Sequence, residues 1–193
     1  LIKLPPEKWC IFILHMNLRI VHMLFKCGVL LDPTLKQKLK GARKQKAGGP
    51  KEEDGSLASC VWAMLVAAGI HIKMITPPKP DINAYYHSVK KHSFAGADAS
   101  ILMTVWKPIL DLVFPADVRS KNPDTQKKYV GLVNCWEQWA KTWASINNLE
   151  LDRTAKAKQV EEDGKEFVGL WREVQGKTGH LYLHLLTNHL PDQ

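Results

Sequence analysis

The sequence predicts a mainly α-helical, multi-helix domain, and three observations carry that expectation. Apolar residues recur three and four apart over long stretches, alternating runs that would mark strands are few, and proline and glycine clusters divide the chain into about seven helices. No internal repeat period is detectable.

Pro5-Pro6-Glu7 opens a first helix that extends to about Leu31, with Cys10, Leu14, Leu18, Val21, Leu24 and Phe25 at helical spacing, and Asp32-Pro33 ends it. Residues 34 to 46 form a basic segment that Gly41 and then Gly48-Gly49-Pro50 break into a flexible loop. The expected organisation is therefore an N-terminal helix over 1–33, a basic linker over 34–55 and a helical domain over 56–193. Asp54-Gly55-Ser56 offers a cap for a helix over Leu57 to Ala68, rich enough in Ala, Leu, Val and Trp to be buried on most sides, and Gly69 closes it. His71 to Ile75 reads as a short strand or extended turn, and Thr76-Pro77-Pro78-Lys79-Pro80 is not helical because proline lacks the N–H and constrains its predecessor. Helices follow over Ile82 to Lys91 and Ala97 to Phe114, the latter with a kink at Pro108.

After Asn122-Pro123-Asp124 come two long helices. Thr125 to Ile146 stacks Leu132, Trp136, Trp139 and Trp143 on one face, and Asp152 to Gln175 repeats the pattern with Val160, Phe167, Trp171 and Val174. Aromatic stripes at this spacing are core rather than stacking platforms, and the two helices are expected to pair antiparallel. Glu161-Glu162-Asp163 point in different directions around the second helix and read as a solvated face. Gly176 ends that helix, and a last one starts near Gly179.

At 193 residues, with 45% hydrophobic content and seven tryptophans, the chain can bury a sizeable core, which excludes a wholly disordered protein. It opens on Leu1 rather than Met, and the expectation is a piece of a longer protein. Cys10, Cys27, Cys60 and Cys135 form no CxxC pair and read as reduced core or ligand thiols of an intracellular protein. Residues 9 to 31 are apolar in parts, yet His15, Asn17, Arg19, His22 and Lys26 interrupt every window of about eighteen residues, so no membrane partner is expected.

The formal charge is +8, and it is concentrated. Lys36, Lys38, Lys40, Arg43, Lys44, Lys46 and Lys51 are seven cations with no carboxylate among them, a natural partner for phosphate or else a solvated linker kept soluble by lysine. A second concentration lies in the last eighteen residues, where His180, His184 and His189 sit on an otherwise apolar run. His180 and His184 share a helix face four apart, and imidazole is the commonest neutral metal ligand, but a site needs further ligands and a satisfied core histidine is the simpler reading. Gly176-Lys177-Thr178 ends like a P-loop, but Trp171 stands where its first glycine belongs and no strand precedes it. Hydrolase, HExxH and deaminase motifs are absent from the chain.

Two segments together resemble a known family. Leu14-His15-Met16-Asn17-Leu18-Arg19-Ile20 is similar to the Leu-His-x-Asp helix in the catalytic region of the V(D)J recombinase catalytic subunit and its Transib-like transposase relatives, with Asn17 where the family has Asp. The run from Gly176-Lys177-Thr178 to Pro191 resembles that family's Gly-Lys-Ile/Thr segment, in which two histidines five apart precede a proline. The match covers some twenty residues in motif and most of the chain in architecture, since a basic stretch and a helical insert separate the two landmarks.

The resemblance implies the helical insertion of an RNase H-like transposase core. By the motif match, His184 and His189 take the places of two structural zinc ligands, whose cysteine partners are expected upstream of Leu1. The family's three metal-holding acids also fall outside this chain, with Mg or Mn bound only in the intact parent, so the chain is not expected to cleave or join DNA by itself. The leading expectation is a transposase-like or recombinase-like piece that lays Lys36 to Lys51 on the DNA phosphate backbone, with Arg172 and Lys177 extending the surface. Flanking segments of the parent chain and a second copy of this chain are the other expected partners, and nuclear residence follows from the resemblance and the basic run. The alternative is a helical protein-interaction module that docks through apolar faces without nucleic acid. A third reading, an autonomous zinc domain, requires a cysteine to meet the histidines in space.

Overall fold

The computed structural model describes residues 6–30, 57–70 and 95–175. Among them every regular element is an α-helix: α1 (Pro6–Leu30), α2 (Leu57–Ala67), α3 (Gly96–Val113), α4 (Ala116–Lys121), α5 (Pro123–Asn147) and α6 (Arg153–Gln175). The expected helical class is thus observed. The expected strand at 71–75, the helix at 82–91 and the last helix lie outside the described residues. No helix among the described residues is long and apolar enough to cross a membrane.

Local chemistry sets the helix ends. Asn122 caps α5, its side-chain oxygen accepting from Thr125 N–H at 3.1 Å, and Pro123 occupies the first turn, where its missing N–H costs nothing. Asp152 caps α6 by accepting from the N–H groups of Thr154 and Ala155, both at 2.9 Å. At the start of α3 the cap residue is Ala95, which has no side-chain acceptor, so only half of a capping box forms: the Asp98 carboxylate accepts from Ala95 N–H at 2.8 Å. Helix α2 ends in a Schellman closure, with Ile70 N–H donating to Leu65 O at 2.8 Å and Gly69 N–H to Val66 O at 2.9 Å. Gly69 has φ +88°, the left-handed conformation the motif requires there, and Ile70 and Leu65 are both fully buried behind it.

The short α4 carries no signal of its own in the sequence, because six residues hold no full apolar period. It is fixed by its contact with α5: the Arg119 guanidinium lies 3.8 Å from the centre of the Tyr129 ring, a cation–π stack.

The chain divides into two compact units, one of Leu1–Ile20 with Asp117–Gln193 and the other of Val21–Ala116, so that α1 gives its first part to one and the rest to the other. In the Val21–Ala116 unit, Val21, Leu24, Phe25 and Cys27 of α1, Val61 and Leu65 of α2, and Leu102, Ile109 and Leu110 of α3 are buried. Gly28 admits the close approach of α3, since a Cβ there would lie 2.7 Å from Leu110 Cδ2. Of the side chains described in α2, Val61 and Leu65 are buried, Met64 and Val66 half-buried, and Ala63 and Ala67 exposed. Its alanines are small enough to face water at little cost.

In the other unit α5 and α6 pair antiparallel. Gly131 meets Val174 near one end, the Trp139 and Phe167 rings lie 5.4 Å apart in the middle, and Ser145 meets Asp163 toward the other end. Leu132, Trp136 and Trp139 of α5 and Val160, Phe167 and Trp171 of α6 are buried as their spacing predicts, whereas Trp143 and Val174 are half-buried. The buried stripe of α1 differs from expectation. Leu14 is 45% exposed, and Met16, Asn17 and Ile20 face inward instead, four-residue spacing having the same period one step round the helix.

Two glycines of the α5–α6 pair separate backbone propensity from packing. Gly169 on α6 has open space around it, so Gly169→Ala should raise stability by about 0.5–1 kcal/mol. At Gly131 a Cβ would sit 2.7 Å from Val174 Cγ2, the tip of a stiff β-branched side chain, so Gly131→Ala should lose that gain to the clash. Urea midpoints of the two variants should fall on opposite sides of the parent, and equal midpoints would show that α6 gives way at Val174.

Candidate functional site

None of the cations Lys36, Lys38, Lys40, Arg43, Lys44, Lys46 and Lys51, nor His184 and His189, lies within the described residues. Of the proposed extensions of the basic surface, Arg172 is described, and it is exposed on the last turn of α6. Among the described residues no group of three or more His, Cys, Asp or Glu is placed to hold a metal ion, and Cys27 and Cys135 are buried thiols outside any disulfide. Charge bookkeeping adds a second constraint. The described residues hold fourteen Lys and Arg against thirteen Asp and Glu, so seven of the eight excess positive charges lie elsewhere in the chain. Several of the described cations are also neutralised in place, Lys107 by Asp111, Lys158 by Glu162 and Lys165 by Glu161, each one helical turn away.

The densest chemistry among the described residues is a buried polar cluster between α5 and α6. The solvated face expected for Glu161-Glu162-Asp163 is corrected at Asp163, whose side chain is 1% exposed. Position 163 falls in the same stripe as Val160, Phe167 and Trp171, and that spacing could have revealed it. Its carboxylate is matched from α5: Lys141 Nζ is 2.8 Å from Oδ1, and the Ser145 hydroxyl donates to Oδ2 at 2.7 Å. The backbone of the same residue is engaged as well, with Gln138 Nε2 donating to Asp163 O at 3.0 Å. The buried Thr142 hydroxyl has one proton and two carbonyls in range, Gln138 O at 2.8 Å and Asp163 O at 3.3 Å, and the shorter bond takes it.

These contacts decide the protonation states. Burial pushes the Asp163 carboxyl up, but hydrogen bonds from Lys141, Ser145 and Gln159, together with the Lys141 charge, outweigh burial and hold it below the usual aspartate value. The Lys141 ammonium is held above its usual range, by its hydrogen bond to Asp163 and then by the charge of that carboxylate, with Glu166 adding at 3.7 Å. A carboxylate kept ionised and supplied with donors is a poor general acid, and an ammonium kept protonated is no base. The arrangement therefore acts as a clamp between two helices rather than as acid–base machinery.

A second buried polar contact ties in the helix that carries the Leu14-to-Ile20 motif. Asn17, 2% exposed, accepts from the Trp139 indole N–H at 3.1 Å. Asn17 thus has a structural partner, and a neutral amide suits a buried site where a carboxylate would have to be desolvated.

No family model matches the chain, and no curated protein and no solved structure shows significant similarity to it.

Because the folded-state value of Asp163 is depressed, its contribution to stability is present above the ordinary carboxyl range and is lost as pH falls through that depressed value. Asp163→Asn should cost on the order of 1.5–3 kcal/mol at neutral pH and flatten the acid loss that accompanies protonation of this carboxylate below the ordinary aspartate range. Lys141→Met, which leaves the carboxylate without its cation, should start the acid loss at higher pH. Denaturant titrations across pH read both effects, and a parent-like profile for Asp163→Asn would remove the clamp. Asn17→Ala should cost about 1–3 kcal/mol, because it leaves a buried indole N–H without an acceptor. Trp139→Phe then adds little in the double variant if the two act as a pair, and a thermodynamic cycle with additive costs would break that pairing.

Proposed function

We propose that this chain is the DNA-contacting, helical piece of a transposase-like or recombinase-like protein and binds the phosphate backbone through Lys36 to Lys51. The observation that carries the reading is the concentration of seven cations without a carboxylate in one short stretch. The near neutrality of the described residues supports it, because it leaves the charge for a polyanion outside them. The two motif resemblances at Leu14 to Ile20 and Gly176 to Pro191 supply the family. Lysine acts on phosphate as a point charge, so the contact gives affinity and orientation without reading base edges. On this reading the clamp at Asp163 and the Asn17–Trp139 bond hold the helices in place and take no part in chemistry on DNA.

In the same reading His184 and His189 are half of a structural zinc site whose other ligands come from the flanking parent chain. Zinc would supply a tetrahedral cross-link there.

Fluorescence anisotropy of a labelled duplex across a salt series tests the DNA reading. Reversing Lys38, Lys40, Arg43 and Lys44 to Glu should weaken binding and flatten the dependence of log K on log salt by about 0.9 for each phosphate that is no longer neutralised. Unchanged affinity and slope would overturn the assignment, and binding that ignores salt altogether would favour apolar docking to a protein partner. For the zinc half-site, elemental analysis of purified chain should find zinc well below one equivalent, and less still after His184→Ala with His189→Ala. A full equivalent that survives both substitutions would sink it.

A further inference from the structure

We draw no further inference here: the strongest candidate, the apolar tip of the α5–α6 hairpin where Leu149 is 92% exposed beside Leu151, carries nothing because nothing in the structure shows what covers it.

Discussion

An ionised carboxylate withdrawn from water has to recover its solvation from the protein, and Asp163 recovers it from Lys141 and Ser145 of α5 and from Gln159 of its own helix. Lys141 and Ser145 meet the carboxylate and Gln138 donates to the backbone carbonyl of the same residue, three positions spaced as one face of a helix, so the match depends on register as well as on proximity. Apolar packing between Trp139 and Phe167 would tolerate a modest slide of one helix along the other. The polar cluster would not, because a slip of one turn takes Lys141 and Ser145 away from the carboxylate and leaves it buried without its cation. The rest of the unit follows from that alignment: Gly131 comes opposite Val174, and Trp139 presents its indole N–H to Asn17 of α1. Apolar burial thus supplies most of the attraction, and a few polar groups choose among the packings that it allows.

Periodicity makes the helices legible. Predicted ends of Thr125 and Ile146 for α5 compare with Pro123–Asn147, and those of α6 with Arg153–Gln175, because apolar stripes and capping residues are local signals. What escapes is non-local. The apolar stripe of α6 marks position 163 as inward-facing, but nothing in its own segment announces the lysine and the serine of another helix that match its charge. Helix α4 escapes for the converse reason, since its stability comes from Arg119 lying on a tyrosine ten residues away rather than from its own sequence. Polarity ranks Leu14 above Asn17 for burial, and the packing ranks them the other way. The residues expected to meet phosphate or zinc stand out by composition and spacing, and for such surface chemistry those are the only signals a single sequence offers.

The described helices and the proposed DNA contact divide the physical work. Ion pairs one turn apart keep the outer face of α6 close to neutral, and such exposed pairs are individually worth little to stability. Their effect is on the field: a helix whose five Lys and Arg are balanced by five Asp and Glu attracts a polyanion weakly.

Gly69 and Gly131 show two different kinds of intolerance. At Gly69 there is room for a side chain within 4 Å but the backbone angle is one that L-residues resist, so the constraint is on chirality and not on volume. The penalty there would be nearly indifferent to how large the replacement is, with asparagine the mildest because its side chain bonds to the local backbone. At Gly131 the penalty would climb with every added atom. A family of homologues that exchanged Gly69 freely would therefore have abandoned the helix stop itself, whereas exchange at Gly131 would require only a smaller partner at position 174.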